Sequence, residues 1–248
     1  MNMTSNFHSS RFHSSRFHSL RAAKRRAAMF GLALSLCAAS AHAALQGRNL
    51  DGNAATFEAY YDTTLNITWL ADADIANTRG ETNEGRKNWG DAQAYAAALN
   101  VFGVTGWRLP KVTPRDGGTV YNTAFKNDGS SDIGYAAKGT GWGTTSELGH
   151  MYYVTLANSA FSLTNTAPFS KLVANDYWTG QAPSRLSPGA FFFNTGIGLQ
   201  DVALVAFTYK MWAVCDGDIS APIPEPQTYA LMLAGLAATA VVVKRRRR

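Results

Sequence analysis

Apolar and polar side chains alternate in "AATFEAYYDTTLNITWLADADIANT", and a turn at Thr63-Thr64-Leu65-Asn66 divides the two alternating runs. Period-two patterning on either side of a short polar turn predicts a β-hairpin. Its expected core contacts are Phe57, Tyr60, Ile67, Trp69 and Leu70. In "NWGDAQAYAAALNVF" the period changes, with Ala92, Tyr95, Ala96 and Leu99 at i, i+3, i+4 and i+7. That spacing predicts a helix, ended by "GVTGWRLPKVTP" with Gly103 as its C-terminal cap. Residues 112–142 are rich in Gly, Asp, Asn, Ser and Thr and predict a long loop region, of a length usually tied to function or mobility. A second helix is expected from Thr144, which stands at capping-box spacing from Glu147, on through Leu148, Met151 and Tyr152.

After another polar stretch come three strand candidates, "NDYWTGQ", "GAFFFNTG" and "ALVAFTYKMWAVCDG". The last begins as a nearly unbroken apolar run, as a central strand would. Two early helices followed by late antiparallel strands predict an α+β domain.

The two ends follow different rules. Arg21, Lys24, Arg25 and Arg26 precede a 13-residue apolar run, Ala27 to Ala39, and then Ala41-His42-Ala43. A basic region, a short apolar segment and a small-x-small site make a signal peptide, so residues 1–43 are expected to be removed after Ala43 by signal peptidase and the general secretion machinery. Cys37 follows the bulky Leu36, which argues against a lipid-attachment site. The upstream "FHSSRFHSSRFHSL" is an imperfect five-residue repeat carrying three of the five histidines. His-rich tracts can bind metal, but this one precedes the cleavage site and is expected to leave with the signal, if the start codon upstream of it is used at all.

At the other end the 15 residues from Tyr229 to Val243 carry no charge. As a helix they would reach roughly 22 Å, short of the ~30 Å core of a bilayer, although the stems of Lys244 and Arg245 extend the reach by snorkelling. The basic end stays cytoplasmic by the positive-inside rule, which places everything before Pro222 outside. On the apolar run alone this is a plain C-terminal anchor. Pro224-Glu225-Pro226, the short apolar stretch and the terminal Arg cluster together resemble the PEP-CTERM sorting signal of bacterial envelope proteins. The resemblance implies that residues 222–248 are read by an exosortase, a membrane-embedded transpeptidase. The membrane would then hold the chain through its C-terminal helix only before processing.

Removing both ends changes the charge. Six of the 23 Lys and Arg precede Ala44 and five follow Ala221, leaving 12 against 16 of the 17 acids, a net −4 for residues 44–221. The sequence pI near 9.4 would invite a nucleic-acid reading, but the excess positive charge sits in the targeting segments, so no nucleic-acid partner is expected. Cys215 is the one cysteine in this region, which leaves no intrachain disulfide and reads as a small buried hydrophobe. His150 is its one histidine, so zinc sites and Ser-His-Asp arrangements would hang on a single residue. No cofactor is expected.

In order along the mature region, "LNITWLADAD", "NWGDAQAYAAALN", "GWRLP", "TSELGHMYYVTLAN", "YWTG" and "WAVCDGDI" resemble the Lcl C-terminal domain known from a bacterial collagen-like adhesin. The resemblance implies a C-type-lectin-like fold, two helices packed on a twisted antiparallel sheet with long loops, and extracellular recognition of glycans or polyanionic matrix polymers. The collagen-like repeats of that adhesin are not in this sequence, and neither is the Glu-Pro-Asn motif of calcium-dependent lectins.

Candidate ligand contacts are Trp142, Tyr135 and Phe125 in the long loop region and Arg108 in "WRLP". Trp142, flanked by glycines, reads either as an exposed aromatic platform or as a loop anchor. Trp107 beside Arg108 suits sugar stacking and anion pairing. The opposing reading is that strand alternation buries Trp107 and Leu109 and that Arg108 pairs with an internal carboxylate such as Glu147. Trp178 and Trp212 are expected in the core. Asp72 and Asp74, Asn175 and Asp176, and Asp216 and Asp218 carry oxygen ligands for calcium, yet short Asp-containing turns commonly bond their own backbone, so metal dependence stays open.

The expectation is a non-enzymatic protein, exported through the inner membrane to the outer envelope surface or extracellular matrix of a Gram-negative bacterium, with a polysaccharide as ligand. The alternatives are an exopolysaccharide hydrolase using two carboxylates and a purely structural matrix component.

Overall fold

The computed structural model describes residues 45–53, 55–81, 83–183 and 188–219. The signal region with Ala41 and Ala43, the Pro224-Glu225-Pro226 triplet and the apolar stretch 229–243 lie outside the described residues.

Strands β1 (Leu45–Arg48), β2 (Ala59–Asp62) and β3 (Ile67–Leu70) form an antiparallel meander. The β2–β3 turn is the expected Thr63–Asn66, where Asp62 Oδ1 accepts the backbone N–H of Thr64 and of Leu65 and Asn66 adopts a positive φ of 52°. Ile67, Trp69 and Leu70 are buried and Tyr60 is half-buried, whereas Phe57 is 49% exposed. Phe57 precedes the paired residues of β2, and its ring lies over Gly47 of β1 instead of entering the core.

A short helix α1 (Ile75–Thr78) leads to α2 (Trp89–Ala98). Asn88 caps α2 by accepting from Asp91 N, and Ala92, Ala96 and Leu99 face the core. The helix ends at Leu99, which turns to extended backbone. Gly103 sits beyond that end, in a Val101–Val104 turn where its N–H bonds Asn100 Oδ1.

The next helix, α3 (Glu147–His150), is capped by Ser146, not by Thr144. Ser146 Oγ accepts from Gly149 N and donates to Gln200 Oε1, 2.5 Å away. A side chain that serves both its helix and a distant strand fixes the helix start more firmly than capping-box spacing does. The chain continues as a π-helical turn, Met151–Thr155, whose Met151, Tyr152 and Tyr153 are buried.

The late strands do not build one sheet, as the lectin-like expectation has it, but complete two. Strands β4 (Asp176–Trp178), β5 (Gly189–Asn194) and β6 (Leu199–Leu204) form a separate antiparallel sheet in that order. Strand β7 (Val214–Asp216) instead joins β3, giving the order β1-β2-β3-β7. The apolar run 203–217 therefore breaks. Ala203 and Leu204 pair with β5, Phe207 turns outward, and Tyr209 and Lys210 make single bridges to Lys87 and Tyr177. A continuous apolar run predicts burial, but here only residues 210–215 are buried, while Leu204 and Phe207 are about half exposed. The architecture is mixed α/β with two antiparallel sheets and few helices.

The core is rich in tryptophan. Trp69 and Trp212 pack with ring centroids 4.6 Å apart, and Phe169 stands edge-on to Trp212 at 4.7 Å. Trp178 and Trp212 are core residues as expected, and their indole N–H groups reach Lys87 O and Leu70 O. A buried ion pair, Lys210 to Asp74 at 2.6 Å, ties α1 to the segment before β7. Arg48 on β1 grips Asp218 beyond β7 at 2.5 and 2.8 Å, so the first and last described segments meet.

Because Asn88 supplies the cap of α2, the longest helix among the described residues, Asn88→Ala is expected to lower unfolding free energy by about 1 kcal/mol. Urea denaturation should show a lower midpoint at unchanged slope.

Candidate functional site

Glycine-flanked Trp142 is the loop anchor and not an exposed platform. It is 1% exposed, its indole N–H donates to Ser131 O at 2.7 Å, and its ring meets Tyr153 and Phe193 edge-on. Gly141 and Gly143 both take positive φ, which lets the chain fold the ring inward. Gly149 completes the seat, since a Cβ there would meet Trp142 Cε3 at 2.5 Å.

Arg108 is also committed internally. Its Nη1 and Nη2 donate to the two oxygens of Glu147 at 2.8 and 2.9 Å, and Nε donates to Asp216 at 3.0 Å. Nη2 also reaches Asp216, and Lys111 N donates to Glu147 Oε2 at 2.6 Å. Trp107 and Leu109 on either side are buried, as strand alternation predicts. Burial works to lower the Arg108 pKa, but the bonds to Glu147 and then Asp216 outweigh it, so the guanidinium lies above its ordinary value.

Phe125 and Tyr135 do come together at the surface, and Phe161 joins them. Phe125 is 51% and Phe161 67% exposed, and Tyr135 is half-buried between them. Ring centroids lie 5.8 Å apart for Phe125–Tyr135 and 4.7 Å for Tyr135–Phe161. Three apolar faces in one row, left open to water, need a reason.

The row is held from below by buried polar side chains. Gly134 exchanges two backbone bonds with Gln200 of β6, at 2.7 and 3.0 Å, which sets Tyr135 beside that strand. Gln200 Nε2 also donates to Asp132 O. The buried Asp132 carboxylate accepts from Arg115 N and Asn122 N at 2.8 and 2.7 Å. Burial nevertheless pushes the pKa of this group above the usual carboxylate range, against the pull of those donors.

Phe161 is positioned by a second clasp. The fully buried Asn158 accepts from Thr164 N and Asn165 N and donates to Asn165 O, closing a loop whose Phe161 N bonds Ile197 O. Phe161 itself holds a φ of 64°. A bulky residue in the left-handed region is strained, and such strain persists only where the surroundings impose it, commonly at functional sites. Sequence reading passed over Phe161 inside a polar stretch. The available signal was a lone aromatic among small residues, "NSAFSLTN".

A separate cleft of about 270 Å³ lies between α2 and the Trp107–Lys111 segment.

The acidic residues considered for calcium have other partners. Asp72 accepts from Thr78 Oγ1 and Asp74 N, Asp74 binds Lys210, Asp176 accepts from Asn194 Nδ2, Asp216 holds Arg108 and Lys111, and Asp218 holds Arg48. Among the described residues no group of three or more His, Cys, Asp or Glu is placed to hold a metal ion. Cys215 is buried and its thiol pKa is pushed up by that burial. His150 is buried, with Nδ1 2.9 Å from Gly143 O.

Compared with known proteins, the chain matches the family described as PEP-CTERM protein-sorting motif over residues 222–248. That motif implies exosortase as the processing partner and export to the cell envelope. No curated protein and no solved structure matches the chain. No helix among the described residues is long and apolar enough to cross a membrane.

The hydrogen bond from Arg108, followed by the attraction of Arg108 and Lys111, draws the Asp216 carboxyl below the usual range. A depressed carboxylate pKa contributes stability that is present above the unfolded value of ~3.9 and is lost as pH falls through the folded value. Thermal melts of the Asp216→Asn variant are therefore expected to lie below wild type at pH 7 and to converge with it as the pH falls through the depressed folded value.

Proposed function

We propose that this is an exported, non-enzymatic protein of the outer envelope surface or extracellular matrix of a Gram-negative bacterium, sorted by exosortase, which binds glycan chains on the row Phe125–Tyr135–Phe161. The observation that carries the glycan reading is Phe161, whose ring is held open to solvent against Tyr135 by a strained backbone. Aromatic rings offer apolar faces to the C–H faces of sugars at low entropic cost, since each has two χ angles. The ordered motifs that resemble the Lcl C-terminal domain support the same reading, with a C-type-lectin-like ancestry for the fold. The non-enzymatic reading is supported by the carboxylates Glu147, Asp74, Asp216 and Asp218, which are engaged by cations of the fold.

Two experiments test the two halves of this function. Phe161→Ala and Phe125→Ala should each weaken binding to the host's own exopolysaccharide about tenfold, measured by titration calorimetry, and leave the urea midpoint within experimental scatter, because both side chains are exposed. Unchanged affinity in both variants would remove the aromatic row from the account, and an absence of binding by wild type would favour a structural matrix component. Replacing Pro224, Glu225 and Pro226 together by Ala should leave the chain full-length at its C-terminus in the inner membrane, whereas wild type is found beyond it. Intact mass of each cell fraction distinguishes these outcomes, and equal retention of both forms would reduce the tail to an anchor.

A further inference from the structure

We propose that the cleft between α2 and the Trp107–Lys111 segment is a second binding site, distinct from the aromatic row, that takes a carboxylate carried on a sugar-sized ligand such as a hexuronate. The inference does not rest on glycan binding at Phe161. Its volume of about 270 Å³ falls just under the ~300–1,000 Å³ of ordinary small-molecule sites, which suits one monosaccharide unit.

The charged side chains that line the cleft are Arg108 and Lys111, both cations. Glu147 and Asp216, which neutralise Arg108, are not part of the lining. Both Glu147 oxygens and Asp216 Oδ1 are engaged by Arg108 through four donor contacts. Lys111 is bound much more loosely. Its Nζ lies 3.3 Å from each Asp216 oxygen, longer than the ~2.7–2.9 Å of a well-formed charge-assisted bond, and its side chain is 43% exposed. Asp216 Oδ1 keeps its bonds to Arg108 when Lys111 turns away, and the Asp216 side chain is 65% exposed, so water can take Oδ2 and Lys111 can exchange partners.

Two amides complete the donor set. Gln181 Oε1 is pinned by Val112 N at 2.6 Å, which fixes the flip of the amide and leaves its NH₂ group as the spare end. Gln93, from the opposite wall on α2, donates to Gly180 O across 3.3 Å, a long bond that a carboxylate or hydroxyl acceptor can replace. A carboxylate accepts up to about four hydrogen bonds, and Lys111 with the two amides supplies a cation and planar donors from three separate segments. The Oε1 atom of Gln93 remains as acceptor for a sugar hydroxyl.

Titration calorimetry of the exported protein with tetragalacturonate, with its fully methyl-esterified form and with acetate tests the assignment. The acid oligomer should bind at least tenfold more tightly than the ester, with an affinity that falls as salt rises. Lys111→Gln should remove that preference, Lys111→Arg should restore part of it, and Phe161→Ala should leave it intact. Unchanged melting temperatures of the Lys111 variants separate lost binding from lost folding. Equal binding of acid and ester, an acid preference that survives Lys111→Gln, no binding of the acid oligomer at millimolar concentration, or acetate binding as tightly as the oligomer would each overturn it.

Discussion

A guanidinium and a carboxylate, Arg108 and Glu147, meet fork to fork in the partly dry space between three segments of chain. Arg108 belongs to the segment that bridges to β7 at Val214, and Glu147 is the first residue of α3. Lys111 N closes the group from the backbone side. Glu147 would be costly to leave alone, because a buried charge without its counter-ion loses solvation and gains nothing in return, whereas Arg108 has a second partner in Asp216. The sheet β1-β2-β3-β7, the start of α3 and the loop between residues 112 and 146 are thereby held in one register.

From that register the polar chain of contacts runs outward to the surface. Ser146, next to Glu147, caps α3 and binds Gln200. Gln200 holds Asp132 O and pairs with Gly134, and Tyr135 follows directly. Networks of this kind are worth more than their pairs taken singly when every member is satisfied. They also explain how a long segment with little regular structure can present rings at fixed spacing. Asn158 performs the same task for Phe161 by accepting and donating within its own loop. Tyr135 and Phe161 are thus anchored from beneath by hydrogen bonds, and the strain at Phe161 is tolerated because the clasp beneath it is complete.

Much of the local structure was legible in the sequence. The hairpin from Ala59 to Leu70 and the apolar face of α2 follow from period alone, and the burial of Trp107 and Leu109 follows from alternation, which in turn leaves Arg108 needing an internal acid. What could not be read was long-range. Nothing between Ala203 and Asp216 marks the point where the chain leaves one sheet for the other, since both halves are apolar in sequence, yet only residues 210–215 are buried while Leu204 and Phe207 are about half exposed. Trp142 misled because flanking glycines permit an inward fold as readily as an outward loop. The cap of α3 moved from Thr144 to Ser146 because Gln200, 54 residues on, offers Ser146 a partner. Phe161 was hidden because its exposure depends on Asn158 and on Ile197 O, neither of which a local pattern reports. The sorting motif was fully legible, being a recognition signal written in contiguous residues.

The dependence of the fold on one ion pair is tested most directly by a double-mutant cycle on Arg108→Met and Glu147→Leu, followed by urea denaturation. Arg108→Met is expected to cost roughly 3–5 kcal/mol, since it strands the buried Glu147 carboxylate, Glu147→Leu is expected to cost less because Arg108 keeps Asp216, and the double replacement is expected to cost much less than the sum. Losses that simply add would show that the two side chains act independently, and would contradict the account.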